Sequence, residues 1–180
     1  VLIIISTQKK IVIIPHRNPD GDALGSALAL KHFLEAKKHK VNIVSPNDYP
    51  TFLKWLPGES DIIKFSKKPS IARDKINNAE LIFGLDFNSL SRIQDLSEIV
   101  KKTNVDKIMI DHHESPEFFA NLNYSDPSMS STCEMVYNII NASDSKLLDK
   151  KIACCLYTGI MTDTGSFRYP STTSKTHQVV

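Results

Sequence analysis

Short apolar runs rich in β-branched residues alternate along this chain with segments of helical spacing, and that alternation limits what it can fold into. Residues 11–15 (IVIIP), 41–46 (VNIVSP), 81–87 (LIFGLDF) and 107–113 (KIMIDHH) read as strands, the second stopped by its proline. Residues 25–39, with Leu24 just ahead, carry Leu28, Leu30, Phe33 and Leu34 at helical spacing, so the chain turns from strand to helix through the DGD loop. A short helical piece around TFLKWLPG precedes an apolar run at DIIKF, and RIQDLSEIVKK is amphipathic. A stretch rich in Asn, Ser, Asp and Pro after His113 reads as a loop. Helices then begin at Ser131, where STCE fits a capping box, and near Leu148, running through IACCLYTGIMTD; TTSKTHQVV has the look of a helix just begun. Strands this uniformly apolar are covered on both faces, so the pattern predicts an α/β fold with a mostly parallel β-sheet flanked by helices.

At 180 residues the chain suits one domain, without internal repeats or low-complexity tracts. Its 22 basic and 20 acidic side chains nearly cancel, which gives no electrostatic argument for duplex DNA or an anionic membrane. The runs VLIII and IVII are strand-length, far short of a membrane span, and no arginine-rich leader or small-residue cleavage site accompanies them, so a cytoplasmic location is expected. Cys154 and Cys155 are adjacent in a predicted helix and Cys133 stands alone. An odd count without CxxC spacing argues against a disulfide framework or a zinc knuckle, and buried structural thiols are expected.

Three strands end in the same chemistry. The first runs into His16, Asp20 and Asp22, the third into Asp86, and the fourth into Asp111, His112 and His113. Open α/β sheets bind ligands beyond the carboxyl ends of their strands, so these side chains should converge. Asp163 adds a carboxylate among small residues that let backbone approach a site closely. Singly, each has a plain explanation: DGD is what turns favour, and Asp86 or Asp163 would serve as a helix cap. Together they form a carboxylate and imidazole set without cysteine, suited to Mn²⁺, Mg²⁺, Fe²⁺ or Co²⁺. Four carboxylates and two imidazoles can hold two divalent ions with one carboxylate bridging, an arrangement that serves phosphoryl-ester hydrolysis.

The segments HRNPDGDALGS, GLDFNSLSRI, IDHHES and TGIMTDTGSFRYPSTT resemble, in order and spacing, the four successive motifs of the DHH phosphoesterase superfamily, named for the triplet Asp111–His112–His113. NPDGDALGS, SSTCEMVY and DTGSFRYPSTT are most similar to the bacterial nanoRNase and pAp-phosphatase group. Its members degrade very short RNA oligomers and remove the 3′-phosphate from 3′-phosphoadenosine 5′-phosphate (pAp), usually with Mn²⁺. The resemblance implies two divalent ions, with Mn²⁺ favoured over Mg²⁺ or Co²⁺. His16 and Asp20 would hold the first, Asp22, His112 and Asp163 the second, with Asp86 bridging; no ligand position departs from the pattern. It further implies that His113 faces the phosphate and that Asp111 orients an imidazole. Arg168 would contact phosphate or base, while Asn18 and Ser26 have loop and cap duties beside the phosphate pocket. The implied partners are a short single-stranded RNA or nucleotide substrate, no duplex DNA and no membrane, and a homodimer is compatible. The family adds a C-terminal DHHA1 domain with a GGGH-type segment, absent from these residues, so residues 1–180 are expected to be the DHH catalytic domain ahead of the inter-domain helix.

Four other readings compete. A pyrophosphatase of this superfamily would look more like NPDTD than NPDGD at Gly21. A cyclic-dinucleotide phosphodiesterase would carry long sensory segments upstream. A silent nucleotide-binding module would be expected to have lost a ligand, and a structural metal site would not leave positions open to water and substrate.

Overall fold

The computed structural model describes residues 4–180, so the first three residues of the VLIII run lie outside the described residues; Ile4 and Ile5 sit in a turn. Among the described residues six strands form one sheet: β1 (Lys10–Pro15), β2 (Lys40–Ser45), β3 (Ile63–Lys64), β4 (Leu81–Leu85), β5 (Lys107–Asp111) and β6 (Leu122–Ser125). They lie in the order β3-β2-β1-β4-β5-β6, and every neighbouring pair is parallel. The expected α/β sheet is present.

Alternation along β1 sorts the core into two layers, because successive side chains of a strand leave opposite faces. Ile11 and Ile13 pack with α1 (Gly21–Ala36), α4 (Thr132–Asp144) and α5 (Lys150–Asp163). Val12 and Ile14 pack with α2 (Pro69–Asn77) and α3 (Ser97–Lys102) on the other face. A last short helix, α6 (Ser174–Val179), follows α5. The chain leaves β1 through α1 toward β2 on one side and leaves β4 through α3 toward β5 on the other. Strand order thus reverses between β1 and β4, and a crevice opens beyond their carboxyl ends at such a point.

Several local expectations are corrected. Helix α1 starts at Gly21, not beyond the DGD sequence, because the Asp20 carboxylate accepts from the Asp22 and Ala23 backbone N–H groups and caps it there. The amphipathic RIQDLSEIVKK segment is interrupted at Gln94 (φ 44°, ψ −114°) before α3 begins. The Arg92 carbonyl accepts at 2.8 Å from the Arg17 N–H, a bond to another strand's loop. The polar loop after His113 contains β6, whose LNYS sequence lacks an apolar run and is a strand by virtue of its pairing with β5. Ser131 caps α4, but the STCE box is only half made: Ser131 Oγ accepts from Glu134 N, while the Glu134 carboxylate turns to Ser130 and Thr176. Of the cysteines, Cys133 and Cys155 are buried and Cys154 half-buried, all three as free thiols.

Candidate metal centre

Helices α1 and α5 approach so closely that a Cβ on Gly21 would lie 2.3 Å from Thr162 Oγ1, and one on Gly159 2.2 Å from Cys133 Sγ and 2.9 Å from Asp22 Oδ1. Glycine at both positions lets the start of α1 sit against the end of α5, which brings Asp20 and Asp22 toward Asp163, the last residue of α5. His16 follows β1, Asp86 follows β4, and His112 and His113 follow β5. Asp86 takes φ 65°, left-handed for a non-glycine residue, a conformation that costs free energy and clusters at functional sites. It does not cap the next helical turn; Ser89 does.

The six predicted ligands fall into two clusters, His16–Asp20–Asp86 and Asp22–His112–Asp163, with Asp86 also close to His112 of the second. In the first, His16 Nε2 lies 3.7 Å from Asp20 Oδ2 and 3.5 Å from Asp86 Oδ2. In the second, His112 Nε2 lies 3.3 Å from Asp163 Oδ2, 3.9 Å from Asp22 Oδ2 and 3.6 Å from Asp86 Oδ1. Thus one Asp86 oxygen faces each group. These separations exceed normal hydrogen-bond lengths yet stay under about 4.2 Å, twice a typical metal–oxygen bond for a small divalent ion. The donor set and its spacing therefore suit divalent cations.

Surrounding groups fix the donors. His16 Nδ1 donates to the Arg17 carbonyl at 2.8 Å and His112 Nδ1 to the Met129 carbonyl at 3.3 Å, so each ring presents Nε2 to its carboxylates. Asp22, 1 % exposed, accepts from Thr132 N at 2.7 Å and Cys133 N at 2.8 Å, the first amides of α4. Thr132 Oγ1 also donates to Asp86 Oδ1 at 2.9 Å. Thr132 and Cys133 escaped the sequence reading, although the helix start at STCE marked the free amides they supply.

Asp111 is fully buried at the end of β5, and its carboxylate accepts from His113 Nδ1 at 2.7 Å and His113 N at 3.2 Å. The His113 pKa is raised by that carboxylate, against burial and the nearby Arg92 charge, which lower it. His113 Nδ1 also lies 3.8 Å from Asp86, but a nitrogen donating its hydrogen to Asp111 has no lone pair for a metal. Arg168 is exposed, and its Nε donates to the Gly165 carbonyl; among the described residues it makes no ion pair with either group. Ser26 is buried inside α1 and donates to the Ala23 carbonyl. Asn18 (φ 53°) exchanges two hydrogen bonds with Asn47 beside His16.

A family model described as the DHH family, N-terminal domain, matches residues 10–160. The chain belongs to the DHH family. Its domain is 31 % identical over 172 residues, 96 % of its length, to the probable bifunctional oligoribonuclease and PAP phosphatase NrnA of Streptococcus mutans, and 32 % identical over 97 % of its length to the NrnA of Thermus thermophilus. It covers 51 % and 49 % of those proteins, so the chain spans about half the length of the curated relatives it matches. The crystal structure of an exopolyphosphatase-related protein from Bacteroides fragilis superposes with a TM-score of 0.95 at 43 % identity, over 97 % of this chain and 52 % of that one.

Within the DHH domain, negative charge is concentrated where these carboxylates meet. Burial raises the Asp22 pKa, and the Asp86 and Asp163 charges push it further. Asp163 is raised to about 6 by burial and by Asp86 and Asp20, in opposition to His112. Burial disfavours a protonated His16, but Asp20 and Asp86 outweigh it and lift the imidazole to about 10. Without metal, the carboxylates gather protons as their counter-charge; divalent ions would take that place. Among the described residues no helix is long and apolar enough to cross a membrane.

Proposed function

We propose that this DHH domain is the catalytic domain of a phosphoric-ester hydrolase that acts on short RNA oligonucleotides and on pAp. What supports the reading most is Asp86, whose two carboxylate oxygens each face a separate group of histidine and aspartate donors. The names of the two NrnA relatives supply the substrate class.

His16, Asp20 and Asp86 would hold one ion, and Asp22, His112, Asp163 and Asp86 the other. When bound, such a pair neutralises phosphate charge and acidifies a water. The chain's own groups do the rest. The Met129 and Arg17 carbonyls keep the two ligand imidazoles in one tautomer, and the amides of α4 hold Asp22 in place. His113, anchored through Nδ1 and 38 % exposed, would turn Nε2 to a substrate oxygen. Its raised pKa favours the protonated ring, so it donates a proton or hydrogen bond to phosphoryl or leaving-group oxygen.

The full-length protein, assayed with added Mn²⁺, is expected to hydrolyse dinucleotides and pAp in preference to pyrophosphate and cyclic dinucleotides. Hydrolysis of pyrophosphate alone would overturn the substrate assignment. His113→Ala should lower kcat by about 10²–10⁴-fold while keeping the Mn²⁺ stoichiometry of the parent. Loss of a bound ion from that variant would instead place His113 among the ligands.

A further inference from the structure

Where the strand order reverses, between the loops leaving β1 and β4, lies a cleft of about 360 Å³ lined by His16, Arg17, Asn18, Ser91, Arg92 and Gln94. One wall is His16, a donor of the first metal group, so the cleft opens directly beside that group. The other walls are basic or neutral, with no carboxylate. Arg17 and Arg92 are both exposed, and among the described residues neither guanidinium takes part in an ion pair. Their side chains are uncommitted, but their backbones are tied: Arg17 N donates to the Arg92 carbonyl at 2.8 Å. The loop on each side is also turned through left-handed backbone, at Asn18 (φ 53°) and Gln94 (φ 44°). Asn18 is braced by its paired hydrogen bonds with Asn47.

A pair of free guanidiniums on fixed backbone suits bidentate recognition of a phosphate. The location suits it too, since open α/β sheets take their ligands in the crevice where strand order reverses. The scissile phosphate has the metal groups and His113 to receive it. We infer that the cleft between Arg17 and Arg92 is a second anion subsite, which takes the non-scissile phosphate of a nucleotide substrate and selects for substrates that carry two phosphates. This rests on the phosphoesterase reading for which phosphate is cleaved, but the binding can be measured without turnover.

The test compares pAp with adenosine 3′-monophosphate, which lacks the 5′-phosphate, on the full-length Mn²⁺-loaded protein and its Arg17→Gln and Arg92→Gln variants. Calorimetric affinities for both ligands are read in a His113→Ala background, which keeps its Mn²⁺ but turns over slowly, and kcat/KM is read with His113 present. The parent is expected to prefer pAp, and each variant to lose at least tenfold of that preference, about 1.4 kcal/mol, through Kd and KM more than kcat. Equal losses on both ligands would overturn the inference by placing the arginines on the shared 3′-phosphate. An unchanged preference, or a parent that does not discriminate, would overturn it as well. Failure of the phosphoesterase reading has a different signature: the parent turns over neither compound, while the calorimetric preference still decides whether the cleft binds the second phosphate.

Discussion

The two donor groups that meet at Asp86 are assembled in different ways. The first is largely local: His16 and Asp20 are four residues apart, and the Asp20 side chain is 58 % exposed. The second is gathered from the start of α1, the end of β5 and the end of α5, with Asp22 sealed beneath the first turn of α4. Asp20 spends one oxygen capping α1, whereas both oxygens of Asp22 are fixed by backbone amides of another helix. A site preorganised by tertiary packing loses little freedom when it is filled, so the second group should bind its ion more tightly than the first.

The largest test removes what the groups share. Asp86→Ala should abolish pair formation and lower kcat at least about a thousand-fold, and calorimetry that finds two Mn²⁺ ions bound normally would refute a carboxylate shared between the groups. Next come the paired substitutions. Asp22→Asn should erase most of the Mn²⁺-induced rise in Tm, because the tighter ion is lost. Asp20→Asn should retain more than half of it, since asparagine still caps α1 and only the weaker ion is affected. Equal losses would mean that the groups do not differ.

A pH series probes both groups through the protons they hold. His16 is raised to about 10 from an ordinary 6.5, so its proton stabilises the metal-free fold fully below pH 6.5, and that contribution is lost as pH rises toward 10. Asp163 is raised to about 6 from 3.8, so the fold retains this proton across that window and stability falls as pH climbs through it. Divalent ions compete with both protons. The Mn²⁺-induced rise in Tm should therefore be larger at pH 8 than at pH 6, with protons released on binding; a flat response would contradict it. The smallest effect belongs to Thr132→Val, which removes one hydrogen bond to Asp86 and should cost about 1 kcal/mol in denaturant unfolding of the metal-free protein.

The four main strands and the histidines and aspartates that gather beyond them were legible because most lay in a local pattern: an apolar run, then Asp or His at its end. What escaped was set by contacts between distant segments. Strand β6 has half-buried residues and no apolar run, so only its neighbour β5 makes it a strand. The break at Gln94 goes with a carbonyl bonded to Arg17, 75 positions away by the numbering of Arg92. Glu134 matched a capping box in spacing, yet the nearby Thr176 hydroxyl, from a helix 42 positions on, competes for its carboxylate. Arg17 and Arg92 carry no signal as a pair until the sheet order sets their loops side by side.

Both margins of the sheet are stubby: β3 contributes two residues and β6 four. Neither rim offers a long ribbon of spare amides and carbonyls onto which another chain could zip, the usual route from an open sheet to fibrous stacking. Copies of this domain that meet in solution must therefore recognise one another through side-chain surfaces, so crowding alone gives them no backbone template for growth.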